Sequence, residues 1–115
     1  MHELSLAHEL LKKLCSLAKQ HHADRILEVN VAIGPLSGIV ADSFRFGFEA
    51  LAPANSVTRG AVLVIDSPLP SYKCIHCGNI LESQKTHPGC CLRCNRTNFI
   101  LCGGDELLLL QIKIE

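Results

Sequence analysis

Two Cys-x-x-Cys pairs constrain this chain more than any other feature. Cys74-Ile75-His76-Cys77 and Cys91-Leu92-Arg93-Cys94 are separated by thirteen residues, the layout of a four-thiolate zinc site. Each pair is a tight turn that presents two sulfurs to one metal. Gly78 follows the first pair and Asn95 the second, and these residue types best tolerate the left-handed backbone such a turn needs. Iron would also accept four thiolates; zinc is favoured because a ribbon is its commoner setting. Zinc ribbons serve many tasks, so the motif argues for a metal and not for a function.

Seven cysteines could instead build a secreted disulfide scaffold. The odd count, the knuckle spacing and a Met1-His2-Glu3 start without the basic and apolar parts of a signal peptide argue against that. The longest aliphatic run, Leu107 to Leu110, is far too short to span a bilayer. These features predict a soluble cytoplasmic protein. Eleven Lys and Arg balance eleven Asp and Glu, and no basic excess supports general nucleic-acid binding. Catalytic zinc would keep an open coordination position, which four knuckle cysteines close. No Ser-His-Asp pattern, P-loop or dinucleotide fingerprint is present either, so the chain is not expected to be an enzyme.

Hydrophobic periodicity predicts the rest. Leu4, Ala7, Leu11, Leu14 and Ala18, widened by Leu10 and Leu17, form the apolar stripe of a helix from Leu4 to about His21. Leu27, Val29, Val31 and Ile33 alternate with Glu28, Asn30 and Ala32, as in a strand that ends at Gly34-Pro35. A second helix covers about Ala41 to Leu51, with Phe44, Phe48 and Leu51 on one face. Further strands follow at Ala61 to Ile65 and Leu107 to Ile114, the last with Leu108, Leu110, Ile112 and Ile114 on a shared face. Between them, Ser71 to Gly104 has few core aliphatics, so a metal must supply its folding energy. The expected fold is α+β: a small three-stranded sheet with two helices, plus an inserted zinc-ribbon-like module. The predicted domains are residues 1–70, completed by the last strand at 105–115, and a zinc-binding module at 71–104.

The amino terminus carries a second metal-binding possibility. The Met1 α-amine, the His2 amide nitrogen and the His2 imidazole can close adjacent chelate rings around one ion. Ni(II) and Cu(II) favour such square-planar nitrogen sets, and the Glu3 amide or carboxylate could complete the shell. The plainer alternative is a frayed chain end, with Glu3 a first-turn helix acid.

Met1-His2-Glu3-Leu4-Ser5, a turn at Gly34 to Ser37 and the paired knuckles together resemble the HypA/HybF family of nickel metallochaperones for hydrogenase maturation. The resemblance covers essentially the whole chain. It implies that His2 anchors Ni(II) as transported cargo, with Met1 and Glu3 nearby, and that Cys74, Cys77, Cys91 and Cys94 hold structural Zn(II). It further implies delivery to the [NiFe] hydrogenase large subunit alongside a partner nickel-handling GTPase, with urease maturation proteins as partners of some members, and neither nucleic acid nor membrane as a partner. A monomer and a homodimer are both compatible with it. Many members carry an acid at the position of Val40. Valine cannot donate to a metal, and Asp42 is the nearest substitute, although its plainer role is that of an N-terminal helix acid. The alternative function is a zinc-ribbon interaction module for nucleic acid or a transcription complex.

Among the remaining residues, Cys90 competes with Cys91, but Cys91 keeps Asn95 where Gly78 stands in the first knuckle. Cys15 and Cys102 are expected as small buried side chains. His76 and His87 are expected at the periphery of the zinc site, donating to zinc-bound sulfur.

Overall fold

The computed structural model describes residues 2–83 and 88–115. Helix α1, His2–Gln20, leads into strand β1, Ile26–Ile33; helix α2, Ala41–Leu51, and a single 3-10 turn, Ala52–Ala54, lead into β2, Val62–Asp66. Short strands β3, Ser71–Cys74, β4, Ile80–Glu82, and β5, Phe99–Gly103, precede the last strand, β6, Leu107–Ile114. They form two three-stranded sheets, ordered β2-β1-β6 and β4-β3-β5. The α+β class, the three-stranded sheet and the two helices agree with the sequence expectation. The second sheet was not foreseen.

β1 and β2 run parallel, which requires a crossover, and α2 supplies it. β6 returns antiparallel on the other side of β1. Ala7, Leu10, Leu11, Leu14 and Ala18 of α1 and Phe44 and Phe48 of α2 bury themselves against Val29, Val31, Ile33 and Leu63 of the sheet. The apolar stripe is therefore as expected except at Leu4, which is exposed, and Leu17, which is only half-buried. Arg45 donates to the Leu63 carbonyl (2.7 Å) and ties α2 to β2.

Two bulges overturn the strict alternation read from the sequence. Ile26 pairs with Ile114 and Glu28 with Lys113, so Leu27 is an extra residue. The offset turns Ile26 into the core and leaves Leu27 42% exposed, because an inserted residue reverses side-chain parity beyond it. In β6 the extra residue is Leu110, between the pairs Asn30–Gln111 and Val31–Leu109. Leu107, Leu109 and Ile112 therefore pack on the core, while Leu108, Leu110 and Ile114 are exposed. Of the four residues expected on one shared face, only Ile112 packs on the core. On the outer face Glu28 and Lys113 form a cross-strand ion pair at 2.9 Å.

The two sheets meet at a backbone contact that only glycine permits. A Cβ on Gly34 would lie 2.2 Å from the carbonyl carbon and oxygen of Gly104, and a Cβ on Gly104 would lie 2.7 Å from Pro70 Cα. Here Gly34 N–H donates to Glu106 O (2.9 Å) and Leu36 N–H to Gly104 O (2.8 Å). The turn after β1 is thus bonded directly to the segment joining β5 to β6. Gly34→Ala is expected to cost more than about 2 kcal/mol of stability. Gly60→Ala, whose new methyl meets nothing within 4 Å, should cost less than about 0.5 kcal/mol. Thermal melts of the zinc-loaded variants check both values.

Candidate metal centre

β3 ends at Cys74, and the chain turns at once through Ile75, His76 and Cys77. Gly78 N–H donates to Cys74 O (2.9 Å) and Cys74 N–H to Asn79 O (2.8 Å). The second knuckle repeats the pattern: Asn95 N–H donates to Cys91 O (2.8 Å) and Cys91 N–H to Arg96 O (2.7 Å). Gly78 has φ +79° and Asn95 φ +65°, the left-handed conformations that their positions in the sequence required.

The knuckles face one another. The sulfurs of Cys74, Cys77, Cys91 and Cys94 all lie within 4.8 Å of each other, with Cys74–Cys94 at 3.5 Å and Cys77–Cys91 at 3.6 Å. Cys74 and Cys91 are fully buried. Backbone N–H groups point at them: those of Cys77 and His76 lower the Cys74 thiol pKa. Those of Cys94 and Arg93 lower Cys91 to about 6. Asn79 Nδ2 also approaches the Cys91 sulfur at 3.8 Å, and the Arg93 N–H at 3.4 Å. Cys94 goes the other way: the Arg96 N–H pulls it down, but burial and bonds from Cys74, Cys77 and Cys91 push it up to about 12. Four clustered sulfurs can shed one proton easily and hold the last firmly unless a cation replaces it. A closed set of four soft donors braced by N–H groups fits zinc.

The other sulfurs stand apart. Cys90 is exposed, in accord with the choice of Cys91, and Cys15 is only half-buried. Cys102, expected to be buried, is exposed. Ser71 pairs with Gly103 and Tyr72 with Leu101, which leaves Cys102 as an unpaired extra residue of β5. His76 does not donate to sulfur. It accepts from Arg96 at Nδ1 (3.1 Å) and donates from Nε2 to Asn98 Oδ1 (3.2 Å). Asn79, Arg96 and Asn98 were not singled out from the sequence, although the repeat of the knuckle pattern places Asn79 and Arg96 at equivalent positions. His87 lies outside the described residues.

At the other end, His2 opens α1 with its side chain exposed; Met1 lies outside the described residues. Glu3 Oε2 accepts from the Val40 N–H at 3.2 Å, and this bond holds its carboxyl below the usual range. Val40 caps α2 without a side-chain hydrogen bond, and Asp42 sits in the first turn of that helix. Glu3 and Asp42 line one open cavity of about 440 Å³ with Leu4, Ser43, Phe46 and Gly47. The convergent group of three or more ligands found among the described residues is the cysteine cluster; His2, Glu3 and Asp42 do not form one.

Residues 1–114 match the family model described as hydrogenase/urease nickel incorporation metallochaperone, HypA. The chain belongs to the HypA family. It is 36% identical over 115 residues to the hydrogenase maturation factor HypA of Chloroflexus aurantiacus, covering 98% of each chain. To that of Dehalococcoides mccartyi it is 30% identical over 115 residues, covering all of this chain and 95% of the other. The solution structure of the Ni metallochaperone HypA from Helicobacter pylori superposes with a TM-score of 0.74 at 27% identity, over 97% of this chain and 96% of that one. A second HypA solution structure gives a TM-score of 0.82 at 28% identity, over 100% and 97%. HypA is a family of metallochaperones for hydrogenase and urease nickel incorporation, and this membership disfavours the nucleic-acid reading of the knuckles. No helix among the described residues is long and apolar enough to cross a membrane.

A lowered thiol pKa has a definite sign. Between 9.0 and about 6 the folded protein keeps a Cys91 thiolate that an unfolded chain has already protonated. The stability this gives is full above that window and lost below it. Protons and zinc compete for the same sulfur, so zinc uptake by metal-free protein should be full at neutral pH and decline as pH falls through about 6. At neutral pH Cys91→Ser should lose the metal while Cys90→Ser retains one equivalent. Metal analysis after dialysis at each pH reads both.

Proposed function

We propose that this protein binds Ni(II) at its amino terminus and delivers it to the large subunit of [NiFe] hydrogenase, working in the cytoplasm with a nickel-handling GTPase and without catalysing a reaction itself. Urease maturation is a second destination open to the family. In this reading residues 1–70 and 105–115 form the nickel-binding domain, and residues 71–104 form the zinc module. Cys74, Cys77, Cys91 and Cys94 hold Zn(II) for structure.

The observation that carries the reading is the contrast between the two ends within a whole-chain HypA match. The four thiols converge on one point, two of them fully buried and two half-buried, suited to a resident ion. His2 is exposed at the open end of a helix, suited to an ion that has to leave. The Met1 amine, the His2 amide and the His2 imidazole supply the nitrogen set that Ni(II) prefers. Glu3 is bonded to Val40, which favours a positioning role for its carboxylate over a ligand role. An acceptor would displace the nitrogen donors stepwise while docked. Asp42 remains the weaker candidate for a carboxylate ligand.

The test is a Ni(II) titration of untagged protein with its native Met1. It should bind one nickel with the d–d absorption of a planar nitrogen set. His2→Ala should lose that site with its zinc content unchanged, whereas equal binding by both proteins would sink the reading.

A further inference from the structure

A chain that carries nickel and also holds four clustered thiols has two places where nickel could settle. Intrinsic affinity does not keep Ni(II) out of a four-thiolate site, so selectivity there has to come from geometry. Zn(II) accepts four sulfurs as a tetrahedron, whereas Ni(II) favours a plane. Each knuckle contributes one sulfur–sulfur edge. In a tetrahedron the two edges stand perpendicular, and in a square they lie parallel. The four sulfurs therefore become coplanar only if one knuckle turns through about a right angle against the other.

Side chains outside the sulfur set oppose that turn. Asn79 and Arg96 occupy the same place in the two knuckles, each five residues after the first cysteine. Each closes its own knuckle with its carbonyl: Asn79 O accepts from Cys74 N–H (2.8 Å) and Arg96 O from Cys91 N–H (2.7 Å). Each then sends its side chain into the other knuckle. Asn79 Nδ2 reaches the Cys91 sulfur at 3.8 Å, and Arg96 Nη1 donates to His76 Nδ1 at 3.1 Å. His76 extends the tie, because its Nε2 donates to Asn98 Oδ1 (3.2 Å) and Asn98 O accepts from Ile75 N–H (3.2 Å). The knuckles are thus tied in both directions. Turning one against the other would pull Asn79 from Cys91 and Arg96 from His76 together.

We propose that Asn79 and Arg96 are specificity-determining residues of the thiol site: by bracing the knuckles crosswise they hold the four sulfurs to a tetrahedron and keep Ni(II) out of the zinc position. The need for such discrimination rests on the nickel-carrier reading; the discrimination itself is a property of the thiol site alone. The two braces differ in kind. Asn79 touches a sulfur directly, while Arg96 acts through His76. The Arg96 charge also offsets the excess negative charge that four thiolates leave around any divalent ion. That offset raises affinity for both metals alike, so the choice between them comes from the geometry.

The test is a competition between Zn(II) and Ni(II) for the thiol site, run on His2→Ala protein so that the amino terminus offers no imidazole. Bound zinc is read by metal analysis, and nickel at the thiols by its sulfur-to-metal charge-transfer absorption. The parent should keep its zinc against a large excess of nickel. Asn79→Ala and Arg96→Ala should each lower the preference for zinc over nickel by about tenfold, the usual effect of losing a group that orients metal ligands. Arg96→Lys should stay within about threefold of the parent, because the contact with His76 is a single hydrogen bond and not a bidentate one. A residue that only supported the fold would weaken both metals equally. An unchanged zinc-to-nickel ratio in Asn79→Ala and Arg96→Ala would therefore overturn the proposal, whatever happens to zinc affinity, as would free displacement of zinc by nickel in the parent. A failure of the amino-terminal site shows only in protein with His2 intact and leaves this ratio as it is.

Discussion

Strand β1 can bury its core-facing side only if the chain comes back, after a long excursion, to pair with it. β2 alone would leave a two-stranded sheet under two helices, too small to close over Phe44, Phe48 and Leu14. The third strand, β6, begins at Leu107, and everything between β2 and β6 is a loop whose closure costs entropy. A metal-stapled module is a good filler for such a loop. The antiparallel pairing of β3 with β5 brings the two connecting segments side by side, so the chain leaves and re-enters the first sheet at nearly one point. The Gly34–Gly104–Pro70 contact is that point. Its tightness follows from two backbones having to pass where only hydrogen atoms fit.

How much of this was legible in the sequence depends on what kind of signal each feature leaves. The knuckles were legible because metal ligation fixes spacing and turn chemistry together: Cys-x-x-Cys followed by Gly78 or Asn95 is a pattern that little besides a metal knuckle requires. The helices were legible because a 3.6-residue stripe survives small errors at its ends. The face of β6 and the first residues of β1 were not, because a period of two has no redundancy. One extra residue changes parity on one side of it: Leu27 turns Ile26 inward ahead of the correctly read Val29, Val31 and Ile33, and Leu110 puts Leu107 and Leu109 on the core instead of Leu108. In an aliphatic run such as Leu107 to Leu110 the residue that bulges leaves no mark. Cys102 was expected to be buried from its residue type alone, and the strand in which it is an unpaired, exposed extra residue left no periodic signal. The second sheet was missed because β4 spans only Ile80–Glu82, too short for any periodicity. The roles of Arg96 and Asn98 depend on the two knuckles meeting in space, which spacing along the chain does not show.

The same division governs the candidate sites. The four thiols needed no tertiary information beyond two turns facing one another, so they could be named in advance. The amino-terminal site depends on what surrounds His2, and there the structure adds what the sequence lacked. Chain ends fray, and a histidine on a frayed end would be a poor anchor. Glu3 changes that. Its carboxylate takes the N–H of Val40, the residue that caps α2 without a side-chain bond of its own. One bond thus tethers the first turn of α1 and satisfies a donor at the start of α2.

That arrangement also gives the valine at position 40 a physical reading. Where an acid stands here, it can present a carboxylate toward the amino terminus. Val40 contributes only its peptide N–H, which any residue but proline would supply, and the Glu3 carboxylate accepts it. The lowered pKa of Glu3 is the electrostatic side of the same pairing. The carboxylate is most useful as an anion where it meets Val40, and the charge it keeps there lies one residue from the His2 imidazole. Adjacent residues of a helix point in different directions, so a carboxylate held on Val40 acts on a cation at the amino terminus through its field and not through a bond. The proposed release of an ion from His2 calls for that combination: a field that attracts a divalent metal, and a ligand left accessible for the next protein to displace.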